Sequence, residues 1–408
     1  MRNKMVKEKG VRIIILAVAV TVALLFTACA PGPAAQEQKV VRIGTINSLT
    51  GGAASSDQLS LMGFQDYVRY FNEEQGIPGV TIAVLWSDGS HKTDTFLSAY
   101  QRHLDAGISV MFSNSQWLNG HQSNLARDQV VMFTGNADQA LFYPAGWLYT
   151  HFPTWTEQFA AWADYVMVNW EEARPPRVAI LGADQPFTQH IVPEATKYAE
   201  RIGIEMLPTV IVPALPMDTT TQLLHLKAQE ADFVYIQWIS VVTLPVLLDA
   251  ERLELLDQIQ FVGNCYSAGE KVFDRAGTAS EGYLMEKTEP VLSETELPGI
   301  QLVRDLQMKY RGQTISEPEY IANWILAAVV CEVMKITVEQ VGYENVDGPT
   351  VKGIADTIKD FNVYGLKTFT YTPDSHTGSR VVAIYEVRDG KLVRISDWKP
   401  APVIVPGE

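Results

Sequence analysis

The chain has 408 residues, of which 47% are hydrophobic and 19% charged, and its net charge is −15. That balance excludes a disordered chain, and the acidity argues against nucleic acid and against electrostatic adhesion to anionic lipid. The length exceeds one ordinary hydrophobic core, so two domains are expected.

Residues 1–30 read as an export segment. Arg2, Lys4, Lys7, Lys9 and Arg12 give a basic start, the apolar run 13–26 follows, and Thr27-Ala28-Cys29-Ala30 closes it. A basic start, a short apolar run and small residues describe a secretory signal. The run is shorter than the roughly 17–25 residues of a membrane span. Cys29 after two small residues resembles a bacterial lipobox, in which it would carry lipid and become the mature N-terminus; Phe26 stands where Leu is commoner. A plain cleaved signal and an uncleaved anchor are the other readings. All three put the remaining chain outside the cytoplasmic membrane. The expected division is a signal over 1–28 and a Pro/Ala/Gln-rich tether over 29–39.

Strand-like and helix-like stretches then alternate. A strand is expected over 40–46. A helix over 58–75 has Leu61, Phe64, Val68 and Phe71 on one face, and Gly76-Ile77-Pro78-Gly79 ends it. Strands follow at 80–86, 108–112 and 130–133, with a helix from Thr93 or Asp94 between the first two. The pattern restarts with strands at 177–181, 204–212, 233–238 and 259–263, and helices at 192–202, 220–230 and 244–256. Such alternation implies parallel strands covered by helices, hence two doubly wound, Rossmann-like α/β lobes. The segment 144–176 carries the first crossing between them. Its Trp155, Trp162 and Trp170, seven or eight residues apart, predict core packing of a helix face. Helices over 300–310 and 319–341 and a hairpin of 381–387 with 392–395 about Asp389-Gly390 complete the chain. The longest further apolar run, 325–330, is bounded by Glu332 and is too short to span a bilayer. Cys265 and Cys331 are expected to be unpaired thiols.

No catalytic signature is present: no His-Glu-x-x-His, no Gly-x-Ser-x-Gly and no phosphate-binding Gly-rich loop. The seven histidines lack metal-ligand spacing and Cys-x-x-Cys does not occur, so neither a metal nor a cofactor is expected.

Several stretches, taken in order, resemble one family. They are Ile43-Gly44-Thr45-Ile46-Asn47-Ser48-Leu49-Thr50-Gly51, Phe71-Asn72-Glu73-Glu74-Gln75-Gly76-Ile77-Pro78-Gly79, Ser87-Asp88-Gly89-Ser90-His91-Lys92, Ala231-Asp232-Phe233-Val234-Tyr235 and Gly277-Thr278-Ala279-Ser280-Glu281-Gly282. Together they resemble the type I periplasmic binding proteins, and within them the leucine/isoleucine/valine-binding receptors of ABC importers, over residues 40–396. The resemblance implies two lobes joined by three crossovers, shutting like a hinged trap. The implied lobes are 40–153 with 288–362, and 154–287 with 363–408. It also implies a monomeric, non-catalytic receptor for a small amino-acid-like ligand, working with a permease in the cytoplasmic membrane and tethered by lipid to that membrane's outer face.

By position, the resemblance places the ligand's carboxylate at Ser113, Asn114, Ser115 and Trp117, and a carbonyl and hydroxyl contact at Asn136, Ala137 and Asp138. Phe187 falls at the family's aromatic wall, and Trp117, Phe187, Trp238 and Tyr266 together would make a large aromatic pocket. Cys265 falls near the acidic residue that holds the ligand's ammonium. A thiol is a poor partner for a buried ammonium. Asp138 or Asp184 would then substitute, or the ligand is an amide, an aromatic acid or another small organic molecule. Each residue also has a plainer use: Ser113, Ser115 and Asp138 as caps, Phe187 on a lobe surface, Trp238 in a core, and Cys265 as an inert thiol. A ligand sensor reporting to a membrane receptor, and a secreted enzyme, are the competing functions.

Overall fold

The structure is a computed structural model and describes residues 39–407. The export segment, the tether and Cys29 lie outside the described residues.

A first sheet has the order β2 (Val80–Asp88), β1 (Lys39–Asn47), β3 (Val110–Phe112), β4 (Val131–Thr134), β5 (Leu148–Thr150). β1 pairs parallel with β3, β3 with β4 and β4 with β5. Every residue of β3 and β4 is buried, as central parallel strands covered on both faces require. Phe64 of the Ala54–Tyr70 helix stacks on Phe112 of β3, with centroids 4.6 Å apart. That helix also lies against the Pro318–Val341 helix. Gly63 makes the approach possible, because a side-chain carbon there would stand 2.1 Å from the Tyr320 carbonyl oxygen.

The second sheet runs β15 (Lys391–Arg394), β14 (Val381–Arg388), β11 (Leu284–Lys287), β10 (Gln260–Gly263), β9 (Phe233–Ile236), β6 (Arg177–Ala183), β7 (Glu205–Met206). β8 (Val210–Val212) also pairs with β6, and β16 (Lys399–Pro400) with β14. β6, β9, β10 and β11 are parallel, and β14 closes the sheet antiparallel to β11. The strand expected over 204–212 is two short strands, since Pro208 between them has no N–H for the ladder. The two doubly wound α/β lobes expected from the alternation are present within one compact unit.

The chain passes between the lobes three times: after β5, after β11, and after a small hairpin of β12 (Phe361–Val363) and β13 (Lys367–Phe369). Val363, Leu366, Phe369 and Tyr371 belong to the first lobe's core, so the third passage lies after Tyr371, beyond the boundary at 362 set by resemblance. First and third passages are laced together. Thr150 N–H donates to the His376 carbonyl at 2.9 Å, and Gly378 N–H to the Thr150 carbonyl at 3.0 Å. Glu289 of the second passage lies 3.6 Å from Lys287 and 3.5 Å from Lys367, all three buried.

The Pro318–Val341 helix is long and apolar enough to cross a membrane by length and composition, which the run 325–330 alone is not. Here 83% of its most apolar stretch is buried inside the protein, and Glu332 sits at its half-buried edge. Among the described residues, Cys265 and Cys331 are free and buried, as expected.

Candidate functional site

In open α/β sheets ligands meet the carboxyl ends of strands, where strand order reverses. Here the reversals fall between β1 and β3 and between β6 and β9. The loops leaving those strands face one another across a cavity of about 320 Å³, within the range of small-molecule sites. From the first lobe it is lined by Ser48, Ser56, Asp57, Ser60, Asn114, Ser115, Gly135, Asn136 and Glu319, among others. Trp155, Gln185, Phe187, Leu215, Trp238 and Tyr266 line it from the second. No Lys or Arg is among the lining residues, and His91 is the one basic side chain.

Local sequence positions these groups. Ser115 caps the short turn Gln116–Leu118, its hydroxyl accepting from Trp117 N–H at 3.2 Å. Asn114 ties three segments together: its Oδ1 accepts from Gly135 N–H at 2.6 Å, its own N–H donates to Asn47 Oδ1 at 3.3 Å, and its Nδ2 donates to Asn323 Oδ1 at 3.4 Å. Pro186 opens the short helix Pro186–Gln189, which presents Phe187. Phe187 lies 4.2 Å from Trp155 and 5.6 Å from Trp238, ring centre to ring centre. Trp238 Nε1 is anchored on the Ala214 carbonyl at 3.2 Å. The three rings make an aromatic wall.

Two carboxyl groups line the same cavity from the first lobe. Asp57, in the first turn of the Ala54–Tyr70 helix, accepts Ser48 N–H at 2.6 Å. Burial pushes its pKa up to about 6, against the pull of that hydrogen bond. Glu319, in the first turn of the Pro318–Val341 helix, is raised to about 7, again by burial.

Of the residues expected from sequence, the structure brings Asn114, Ser115, Asn136, Phe187, Trp238 and Tyr266 to the cavity. Ser113, Trp117, Ala137, Asp138 and Cys265 do not line it. The Ser113 hydroxyl is spent on the Ile46 carbonyl. Trp117 is sandwiched in the first lobe between Phe96 and His121, each 4.2 Å away, because the turn that Ser115 caps rolls the indole away from the cleft. Ala137 packs into the second lobe's core. Asp138 is fully buried among protein partners: it caps Gln139–Leu141, accepts from Asn119 Nδ2 at 2.6 Å and meets His190 Nδ1 of the second lobe. Asp184 accepts from Gln189 on the exposed surface. Cys265 is buried, and its surroundings raise the thiol's pKa well above the ordinary value, chiefly by burial. Among the described residues, no cluster of His, Cys, Asp or Glu could hold a metal.

Comparison with known proteins matches this geometry. A family model described as periplasmic binding protein covers residues 40–391. The chain belongs to that family. Solved structures of similar fold include a branched-chain amino acid ABC transporter protein from Thermus thermophilus with bound valine, at 20% identity and TM-score 0.82, covering 89% of this chain and 97% of that one. A fatty acid ABC transporter substrate-binding protein from Thermomonospora curvata has 16% identity and TM-score 0.77, covering 90% and 95%. A leucine-binding protein from Thermotoga maritima has 16% identity and TM-score 0.71, covering 90% and 99%. Among curated proteins, none is similar enough to count as a match.

Sequence reasoning missed Asp57, Glu319 and Trp155 in this periplasmic binding protein. Asp57 carried a readable signal: it lies four residues before Leu61 and seven before Phe64, on the apolar face of its helix. A carboxylate there is either paired or functional. Glu319 stands likewise at the start of the long apolar helix Pro318–Val341.

Proposed function

We propose that this protein is the extracytoplasmic solute receptor of an ABC importer, tethered through Cys29 to the outer face of the cytoplasmic membrane. Its ligand is a small amino-acid-like molecule, a branched-chain amino acid or a related amide or aromatic acid. The observation that carries the reading is the cavity itself. It is small, its wall is shared between two lobes, and the lobes are joined by three narrow passages. A ligand that touches both walls only when they are apposed stabilises the closed state by those extra contacts and shifts the population toward it. A permease that recognises the closed form then receives a loaded receptor. The relatives named above for valine, leucine and fatty acid support a solute of this size and an apolar body.

Small-angle scattering tests the reading. Protein stripped of ligand by unfolding and refolding is expected to show a larger radius of gyration than the same protein after its co-purifying small molecule is returned. Identical profiles, with no small molecule released on unfolding, would remove the receptor reading.

A further inference from the structure

Two observations, one on each lobe's wall of the cavity, bear on the polarity of what it holds. On the first lobe, Asp57 and Glu319 are 6% and 5% exposed, both line the cavity, and neither is in an ion pair among the described residues. Lys287, the cation whose field reaches Glu319, is itself engaged with Glu289 at 3.6 Å. On the second lobe, Trp155 Nε1 and Tyr266 Oη are buried with no hydrogen-bond partner among the described residues, in side chains 5% and 8% exposed that also line the cavity. Buried polar groups in native proteins are paired. Among the described residues the two donors have no hydrogen-bond partner, and the two carboxyl groups, which accept from Ser48 and Ser56, have no cation to neutralise them.

Four loop amides of the first lobe are also spent on the protein itself. The amides of Ser115, Gly135, Asn136 and Asp138 donate to Ser113, Asn114, Thr134 and Asn136 in turn. Those four donors are used within the protein, and two acids line the same wall of the cavity. We infer that the ligand carries a cationic nitrogen, held by Asp57 and Glu319 of the first lobe, and an acceptor oxygen directed at Trp155 Nε1–H and the Tyr266 hydroxyl of the second. This is the reverse of the polarity that the sequence resemblance implies, in which the carboxylate sits at residues 113–117 and the ammonium at position 265. The inference rests on the receptor reading and names the chemical class of its ligand.

Two matched sets of probes separate the claims: leucine, isoamylamine and isocaproate, and phenylalanine, phenethylamine and hydrocinnamate. In each set the second lacks the carboxylate and the third lacks the nitrogen. Thermal shift and calorimetry on the ligand-stripped protein are expected to show binding by a nitrogen-bearing member and none by its deaminated partner. Asp57→Asn and Glu319→Gln, which keep shape and hydrogen-bond acceptors, are expected to weaken that binding at least about tenfold while the unliganded protein still melts cooperatively. If a deaminated acid binds as tightly as its amine, or both variants bind as the wild type does, the assigned polarity is wrong and the receptor reading survives. If none of the six binds, the assigned ligand chemistry is wrong, and the scattering experiment above decides the receptor reading separately.

Discussion

A side-chain carbon on Gly135 of the first lobe would stand 3.1 Å from the hydroxyl oxygen of Tyr266 on the second. The same carbon would lie 2.8 Å from Asn114 Oδ1, the acceptor of Gly135's own N–H. Glycine therefore lets the second lobe's tyrosine reach the β4 loop. Gly135→Ala is expected to hold the lobes apart and weaken ligand binding by about tenfold, or about 1.4 kcal/mol, with a larger radius of gyration in the liganded state. Calorimetry with the co-purifying ligand measures the first effect and scattering the second; wild-type affinity would show that Tyr266 need not approach Gly135.

Phe187 is the centre of the aromatic wall, between Trp155 and Trp238. Truncating a central aromatic anchor costs about 2 kcal/mol or more of binding. Phe187→Ala should therefore lower affinity by roughly 30-fold, read by titration of intrinsic tryptophan fluorescence. An unchanged affinity would place the ligand elsewhere.

Asp138 illustrates the opposite case: the resemblance puts it at the ligand, and the fold surrounds it with protein partners. Its carboxylate caps a turn, binds Asn119 and bridges to His190 of the second lobe. Loss of a cap together with orphaned charged hydrogen bonds costs about 2–3 kcal/mol. Asp138→Ala is expected to lose that much stability in urea unfolding, whereas Asp138→Asn, which keeps the cap acceptor, should lose less. A Asp138→Ala protein of wild-type stability and reduced affinity would return this residue to the site.

The architecture was legible where patterns were long or turn chemistry was standard. The hairpin at Asp389-Gly390 was readable because those residues favour the positive φ of 51° and 71° that the turn uses. Tyr364-Gly365 makes the same kind of turn, with φ of 51° and 76°, between β12 and β13, but a tyrosine at the first position hides it. β11 was hidden for another reason. Its Glu286 and Lys287 look exposed in a sequence, yet Glu286 is buried against the Tyr235 hydroxyl and Lys287 against Glu289. At the site, position along the chain located the loops after β3, β4, β6, β9 and β10, but which way a side chain turns depends on caps such as Ser115. Thus Asn114 and Ser115 reach the cavity and Trp117 does not. Asp57 and Glu319 come from helix starts that only the packing of two helices brings to the cleft.

Glu286 also sets a pH dependence. Burial raises its pKa from 4.5 to about 8. The folded state therefore holds the proton more tightly than the unfolded state. The associated stability is complete below about pH 4.5 and is lost progressively as pH rises through about 8. Glu286→Gln, whose amide oxygen still accepts from Tyr235, is expected to flatten the fall in melting temperature between about pH 5 and 8. Asp57 and Glu319, raised in the same sense, leave a residual slope. An identical pH profile for variant and wild type would show that Glu286 is ionised in the fold.

Native mass spectrometry of protein purified without unfolding tests the central claim most directly. A receptor that shuts on a small guest should carry one molecule of low mass per chain, released intact on denaturation and carried in smaller amount by Phe187→Ala. A bare polypeptide, still bare after incubation with a metabolite extract of the expressing cells, would contradict the account.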